Sequence, residues 1–406
     1  KLTIVRLYNM ASDSSELRHG EVMAANENST RLDWAESESE SESESQYLHV
    51  LSAFLAMEPV DSVIAIARGC TGGSITDNVQ RFLWEICVRS AADGNASYAK
   101  KLLKRLINEV ELENGEVLDE VYEEYALHMS APSKENILVK ENIRITKFIS
   151  FLFPEGSYEH PSCPKSGKLV IPMKCSLNML EGDTGCSIWP SSLFLSEFVL
   201  QYPDLFANKS CFEVGSGVGL VGICLAHVKA KKVILTDGDL LTLANMKLNL
   251  ERNRLNYDDE LLKEPGEAQS TRVKCIHLPW ETASESKLSK YRPDIILGAD
   301  VIYDLSCLPH LLRVLVALLR REPKRENGSL ETGERDTAQQ GSSPVVAYIA
   351  SVIRNANTFN AFLALVDQMD LSITDLTGQL KSPLELLPYM HSYDRSSIRL
   401  FSISSR

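Results

Sequence analysis

The sequence predicts an α/β fold built on a doubly wound, mostly parallel sheet. From Lys168 onward, short β-branched runs alternate with longer runs of helical periodicity, a pattern typical of parallel strands joined by crossover helices. A glycine-rich turn, FEVGSGVGLVG at 212–222, follows one short run and precedes a helical pattern. About twenty residues beyond these glycines, the next short run ends in Asp237. Together these observations indicate a Rossmann-like sheet with a nucleotide-like cofactor at the carboxyl ends of its strands.

The composition limits the class of protein. A chain of 406 residues with 44% hydrophobic content fits folded material in two or three domains. Its net charge of −13 argues against a general nucleic-acid binder, because Lys and Arg supply most affinity for phosphate backbones. No apolar run approaches the roughly 18 residues of a membrane span, so we expect no membrane segment. The nine cysteines include no C-x-x-C pair, and we expect free thiols and a cytoplasmic location.

Three regions follow one another along the chain. Residues 1–46 end in the repeat ESESESESES and are expected to be a disordered, Ser/Glu-rich tail. In residues 47–150 apolar side chains recur at spacings of three and four, which predicts an all-helical accessory domain. Residues 165–406 form the predicted sheet domain. A polar stretch at 321–343 interrupts it and is expected to be a surface insertion.

The individual elements of the sheet domain follow from the same periodicities. The predicted strands are Leu169–Met173, Cys211–Val214, Val233–Thr236, Val273–Leu278, Ile295–Ala299, Val345–Ser351, Leu371–Leu376 and Ile398–Ile403. The predicted helices are Ser192–Gln201, Leu220–His227, Leu240–Asn253, Leu308–Arg320 and Thr358–Met369.

The glycine turn can be read in two registers. Gly215, Gly217 and Gly219 give the G-x-G-x-G of S-adenosylmethionine (SAM) enzymes, whereas Gly217, Gly219 and Gly222 give the G-x-G-x-x-G of dinucleotide binders. In either register the backbone can approach a ligand closely, because no Cβ intervenes. Glu213, just before the turn, can orient its backbone or interact with an ammonium group of a ligand. The motif by itself leaves the cofactor open.

The next strand ends supply candidate cofactor contacts. Asp237 is placed to accept hydrogen bonds from two ribose hydroxyls. The competing role, capping the next helix, suits Asp239 better, because Asp239 directly precedes Leu240. Trp280 ends the run VKCIHLPW, where an aromatic ring can stack beside an adenine.

The run DIILGADVIY predicts the catalytic edge. It ends with Asp300 and Tyr303, a carboxylate and a phenol after an apolar strand. The alternative is that Asp300 caps the following segment and Tyr303 packs in the wall. Upstream, Trp189 lies before Pro190 at a helix start and can be either a wall over the ligand or a core residue.

These motifs in combination resemble the seven-strand SAM-dependent protein-lysine methyltransferases. The similarity covers roughly 170–406 and rests on Thr184-Gly185, Trp189-Pro190, the turn from Glu213 to Gly219, Asp237, Leu278-Pro-Trp280, and Gly298-Ala-Asp300 with Tyr303. This group carries a D-x-x-Y-type motif where amide and nucleobase methyltransferases carry N-P-P-Y, and the sequence contains no N-P-P-Y. The helical region and the run from Ala347 to Arg354-Asn resemble the branch that methylates translation elongation factor 2 on lysine.

The resemblance implies a fold, a cofactor and a partner. The fold is a seven-stranded class I SAM methyltransferase sheet, the cofactor is SAM with no metal, and the partner is a protein substrate, elongation factor 2. Asp300 and Tyr303 would border the lysine channel. The residues implied to contact SAM are Trp189, Glu213, Gly215, Ser216, Gly217, Gly219, Asp237, Trp280 and Ala299.

Three other functions remain open on the residues alone. A nicotinamide-dependent oxidoreductase could use the same glycines, although no Tyr-x-x-x-Lys pair suited to short-chain reductases is present. A SAM-dependent methyltransferase of a small molecule or RNA would need no large docking module. A non-catalytic scaffold with this fold would also carry the turn.

Overall fold

The computed structural model describes residues 38–89, 96–130, 144–153, 163–164, 167–176, 184–258, 272–320, 344–380, 385–386 and 395–406. The chain divides into two compact units. Unit 1 comprises Lys1–Leu152, Lys168–Met173 and Leu386–Tyr393, and unit 2 comprises Phe153–Gly167, Lys174–Glu385 and Asp394–Arg406. The predicted insertion at 321–343 and residues 1–37 of the predicted tail lie outside the described residues.

Unit 1 contains the helices expected from the spacing of apolar residues. They are α1 (Glu38–Leu55), α2 (Val60–Gly69), α3 (Asp77–Phe82), which continues as a π-helical stretch (Leu83–Arg89), α4 (Ala96–Leu112) and α5 (Asp119–Ser130). The positions at spacings of three and four in α4 are fully buried, including Leu102, Leu103 and Leu106. They share one core with Leu83 and with Val50 of α1. Burial of this stripe is what stabilises the helices against each other.

Two predictions for this region need correction. Helix α1 begins at Glu38, so the last part of the Ser/Glu repeat is helical where a disordered tail was expected. Glu is a good helix former, and the repeat runs without a breaker into the buried end of α1, so the helix extends backwards. The region 47–150 is not all helical either, because Arg144–Leu152 forms strand β1.

Strand β1 belongs to a small three-stranded sheet of order β10-β1-β2. Its partners are β2 (Lys168–Ser176) and β10 (Glu385–Leu386). Ile149, Phe151 and Phe153 are buried at a spacing of two, which is strand periodicity. The predicted strand at 169–173 is therefore present, but it pairs with β1 and lies outside the main sheet.

Unit 2 is built on an eight-stranded sheet of order β5-β6-β4-β3-β7-β8-β11-β9. The strands are β3 (Ser210–Val214), β4 (Lys232–Asp237), β5 (Tyr257–Asp258), β6 (Arg272–His277), β7 (Ile295–Ala299), β8 (Val346–Val352), β9 (Leu371–Asp375) and β11 (Ile398–Ser405). The pairs from β5 to β8 are parallel, and β11 runs antiparallel to both its neighbours. The mostly parallel sheet is confirmed; the two-residue edge strand β5 adds an eighth strand to the expected seven.

Helices cover both faces of this sheet. They are α6 (Pro190–Gln201), α7 (Pro203–Phe206), α8 (Leu220–His227), α9 (Leu240–Arg252), α10 (Glu285–Leu288), α11 (Leu308–Leu319) and α12 (Ala356–Gln368). In β8, Ile349 belongs to the core that contains Leu311 of α11, whereas the Tyr348 ring lies 5.2 Å from the Phe198 ring of α6. Because adjacent strand residues point to opposite faces, α6 and α11 lie on opposite sides, which confirms the doubly wound arrangement.

Two composition-based expectations can be compared with the structure. All nine cysteines are free, as expected, and six of them are buried. No helix in the described residues is both long and apolar enough to cross a membrane.

Candidate functional site

The carboxyl ends of the parallel strands meet at one edge of the unit 2 sheet, and the glycine turn lies there. Gly215, Gly217 and Gly219 have φ angles of 63°, 52° and 85°, in the left-handed region where a side chain is strained. Ser216 holds the turn to β4, since its N–H donates to the Thr236 carbonyl at 2.8 Å and its Oγ accepts from the Thr236 N–H at 3.0 Å. These two hydrogen bonds hold the turn against the end of β4.

Gly222 has a different role from the three turn glycines. A Cβ at Gly222 would lie 2.5 Å from Cδ2 of Leu235, so this position is where α8 packs against β4. Gly215, Gly217 and Gly219 therefore shape the turn, and Gly222 serves close packing.

Asp237 lies at the end of β4 and contacts the turn directly. Its Oδ2 accepts from the Gly217 N–H at 3.1 Å, and its Oδ1 accepts from the Asp239 N–H at 3.0 Å. Burial raises the pKa of Asp237, and the backbone hydrogen bonds oppose that rise. Each carboxylate oxygen keeps a further lone pair that a ribose hydroxyl could use. Asp239 caps α9 by accepting from the Thr242 N–H at 2.6 Å, as expected.

Glu213 is a buried acid beneath the turn, with 1% of its surface exposed. Its Oε2 atom has no hydrogen-bond partner among the described residues. Burial raises its pKa to about 8, and the nearby Asp237 carboxylate adds to the rise. A buried oxygen without a partner carries a free-energy cost that a cationic or N–H group of a ligand would relieve.

Two tryptophans lie beside the turn. The Trp280 ring is 3.4 Å from the position that a Cβ at Gly215 would occupy, so the ring covers the start of the turn. The carbonyl oxygen of Gly185 is 3.2 Å from the corresponding position at Gly217. This brings the segment that contains Trp189 against the turn, and Trp189 Nε1 donates to the Thr184 carbonyl at 3.0 Å. Trp189 is half-buried and precedes α6, and its role as a wall over the ligand stays a prediction.

The end of β7 supplies Ala299, Asp300 and Tyr303. Ala299 pairs in register with Ala350 of β8. Asp300 is buried, has a φ of 54°, and does not cap a helix. Its carboxylate is bound at both oxygens by the Arg354 guanidinium, at 3.2 and 3.1 Å. The Asp300 carboxylate is therefore held in an ion pair, and its place at the catalytic edge stays a prediction.

Tyr303 is 61% exposed, so the alternative that it packs in the wall is wrong. Loss of solvent around its phenol raises its pKa, with further contributions from Cys307, Asp237, Asp304 and Glu281. Sequence reasoning named Arg354 only within the run from Ala347 to Arg354-Asn and did not place it at the site, where it is a cation two residues after the end of β8.

The residues at this edge fit SAM. The turn has the left-handed conformation that favours glycine at Gly215, Gly217 and Gly219, Asp237 has lone pairs for a ribose, and Trp280 offers an aromatic face. The partnerless oxygen of Glu213 suits a cationic ligand with N–H donors. In the described part of the chain, no group of three or more His, Cys, Asp or Glu side chains could hold a metal ion. The individual contacts with SAM stay predictions.

The chain is similar to known proteins. Residues 172–337 match the family model described as "Lysine methyltransferase". A Dictyostelium discoideum protein is 34% identical over 234 residues, which cover 54% of this chain and 58% of that protein. The human Protein-lysine N-methyltransferase EEF2KMT is 28% identical over 237 residues, 58% of this chain and 63% of that protein. Protein-lysine N-methyltransferase EFM3 of Chaetomium thermophilum is 26% identical over 286 residues, 69% of this chain and 75% of that protein.

The first two of these relatives are matched over less than two thirds of their own length. The family match begins in β2 and contains the glycine turn, Asp237, Trp280 and the Asp300 turn. The region that carries the site is therefore similar to lysine methyltransferases, and the cofactor that its residues fit is S-adenosylmethionine.

Proposed function

We propose that this chain transfers methyl groups from SAM to a lysine side chain of a protein, and that the protein is translation elongation factor 2. The observation that carries the proposal is the joining of the glycine turn to Asp237, beside the partnerless Glu213 oxygen and the turn that contains Asp300. The choice of elongation factor 2 is supported by the names of the EEF2KMT relatives. A cytoplasmic location is proposed with it, since nine free thiols suit a reducing compartment.

The cofactor supplies a methyl group on a sulfonium, which is already electrophilic, so the chain needs mainly to align donor and acceptor. In this proposal Asp237 receives the ribose hydroxyls, Trp280 stacks on the adenine, and the partnerless oxygen of Glu213 accepts from an N–H group of the cofactor. Trp189, Ser216 and Ala299 complete the walls. Positioning of this kind lowers a reaction barrier by several kcal/mol, up to about 7–11 in well-oriented cases.

The acceptor lysine must reach the site without its proton. Its pKa of about 10.4 in water means that it arrives protonated at neutral pH. Desolvation beside Trp189 and Tyr303 would lower that pKa and favour the neutral amine. The raised pKa of Tyr303 keeps its own phenol protonated, so Tyr303 can orient the amine by a hydrogen bond but is a poor proton acceptor.

Exposed apolar side chains around the edge support a protein substrate. Five of the seven large exposed hydrophobic residues described in unit 2 follow the carboxyl ends of β4, β7 and β8: Leu240, Leu241, Tyr303, Leu305 and Ile353. An apolar rim of this kind is typical of protein interaction sites. The acidic side chains beside it, Asp239, Asp304 and Glu281, suit a basic protein surface and disfavour an RNA backbone.

The helices of unit 1 are proposed to dock the substrate. Helix α5 has an exposed stripe at helical spacing that combines acids with apolar residues: Asp119, Tyr122, Glu123, Ala126 and Leu127. Replacing Tyr122 and Leu127 by Ser should lower kcat/KM on the intact protein and leave activity on a short lysine peptide unchanged. Equal losses on both substrates would contradict docking by this stripe.

The direct test is incubation of the purified chain with methyl-labelled SAM and a cytosolic extract, followed by identification of labelled molecules. A labelled lysine in elongation factor 2, absent with Asp237→Ala, supports the proposal. Label in another protein overturns the choice of substrate, and label in RNA or a small molecule overturns the acceptor class. Without label, a thermal-shift comparison of SAM and NAD separates a scaffold from an oxidoreductase.

A further inference from the structure

Arg354 joins three segments at the carboxyl edge of the sheet. Its Nη1 and Nη2 atoms donate to Oδ1 and Oδ2 of Asp300 at 3.2 and 3.1 Å. Its guanidinium carbon lies 5.3 Å from the centre of the Trp189 ring. Trp189 is in turn held by its hydrogen bond to the Thr184 carbonyl. Arg354 therefore links the turn after β7 to the segment that precedes α6.

The two members of the ion pair are unequally exposed. The Asp300 side chain is 5% exposed, whereas that of Arg354 is 44% exposed. Asp300 is also fixed by its backbone, because its N–H donates to the Ala350 carbonyl at 2.8 Å and its Oδ1 accepts from the Val352 N–H at 3.2 Å. A group that approaches from solvent reaches the guanidinium before the carboxylate.

We propose that Arg354 is a positioning residue that neutralises the Asp300 carboxylate in a bidentate ion pair beside the lysine channel. The channel then favours the neutral amine of the substrate over its ammonium form. This inference rests on the proposed methyl transfer to lysine.

The physical reason is electrostatic. An unpaired Asp300 carboxylate would attract the substrate ammonium and raise the pKa of the lysine, which opposes the loss of its proton. Pairing with the Arg354 guanidinium cancels that effect. The bidentate geometry needs the planar guanidinium, so Lys cannot replace it fully.

The acidic groups near the channel make the charge of Arg354 important. The nearby turn after β7 also carries Asp304, and the Tyr303 phenol is influenced by Cys307, Asp237 and Glu281. From α11, Arg313 approaches the same region, but its Nη2 is engaged by the Trp280 and Glu281 carbonyl oxygens. Removal of the Arg354 charge would leave carboxylates dominant beside the channel.

The first test is the pH dependence of methyl transfer to the protein substrate. In Arg354→Gln, we expect the acid limb of the kcat/KM profile to move up by about one pH unit, an approximately tenfold loss at neutral pH. The double variant Arg354→Gln/Asp300→Asn removes both charges and should return the limb to its wild-type position. Arg354→Lys should leave the acid limb at its wild-type position and lower kcat. SAM affinity and melting temperature, measured on each variant, show that the fold persists.

Arg399 provides a matched control. Its side chain is 48% exposed and pairs with Asp375 at 4.0 Å, on β11 and β9. Arg399→Gln therefore removes a comparably exposed paired arginine from the same sheet and should leave the pH profile unchanged.

The second test does not depend on activity. Trp189→Phe identifies the Trp189 indole N–H signal in an NMR spectrum. In Arg354→Gln this signal should shift and its hydrogen exchange should quicken, because the ring loses the guanidinium above it. The Trp84 signal is the internal reference, since Trp84 lies under a different cation, Arg89, at 5.2 Å.

The outcomes separate the two proposals. A wild-type chain that methylates no protein lysine contradicts the proposed function, and the role of Arg354 with it. An active Arg354→Gln enzyme with an unchanged acid limb, or an unmoved Trp189 signal, overturns the role of Arg354 alone.

Discussion

The Gly217 N–H donates to Oδ2 of Asp237 at 3.1 Å, across the parallel pair of β3 and β4. This contact ties the glycine turn to the acid that follows the neighbouring strand. The carboxylate that is proposed to bind the ribose therefore also holds the turn in place.

Asp237→Ala should abolish measurable SAM binding. Hydrogen bonds to a charged group contribute about 1.5–3 kcal/mol each, so the loss of two predicts at least a hundredfold weaker affinity. Isothermal titration calorimetry measures the affinity for SAM. Asp239→Ala is the control, because it removes the cap on α9, costs about 1 kcal/mol of stability, and leaves SAM affinity intact. Equal affinity losses in both variants would contradict the assignment.

Gly222→Ala should lower the stability of the fold, whereas Gly217→Ala should mainly lower the affinity for SAM. The new Cβ at Gly222 would meet Leu235 at 2.5 Å, and overpacking of this kind lowers the free energy of unfolding by about 1–3 kcal/mol. Leu235→Ala in the same chain should relieve that contact. At Gly217, with its φ of 52°, we expect loss of SAM affinity as the main effect. Denaturant unfolding and calorimetry separate the two; unimpaired stability in Gly222→Ala would refute the packing role.

Glu213 should make the ligand-free protein less stable as the pH rises. Its pKa is 4.5 in the unfolded chain and about 8 when folded, so the native state binds its proton more tightly. The free energy of unfolding therefore decreases as the pH rises from 4.5 to about 8, and the decrease is complete above about pH 8. The free energy of unfolding, measured with denaturant, should differ less between pH 6 and pH 9 in Glu213→Gln than in the wild type. The pKa of Glu197 is also raised, to about 7. Only the difference in pH dependence between the wild type and Glu213→Gln is therefore diagnostic.

Tyr303→Phe should retain the acid limb of the activity profile. The phenol has a raised pKa and stays protonated across the neutral range, so it does not accept the lysine proton. We expect less than a tenfold loss in kcat/KM, the size of one hydrogen bond of about 0.5–1.5 kcal/mol. Kinetics from pH 6 to 9 test this. Disappearance of the acid limb in Tyr303→Phe would show that the phenol is the proton acceptor.

Local patterns predicted much of the fold correctly. Strand β7 (Ile295–Ala299) and helix α8 (Leu220–His227) have the bounds expected from periodicity, because each is a strongly apolar run flanked by clear breaks. Strand β1 was not recognised, since its alternation is short and follows a region of helical pattern. The start of α1 at Glu38 was missed because composition does not show how far a helix extends backwards from its buried end.

The sequence by itself determined the glycine turn, the acid after the next strand and the apolar run that ends at Asp300, because each is a local pattern with a local physical cause. Tertiary structure alone decided what Asp300 does. Its partner Arg354 is 54 residues away and is brought close by the parallel pairing of β7 with β8. Such a partnership depends on strand order, which no spacing in the chain encodes. Burial then decided which of the two charges faces solvent.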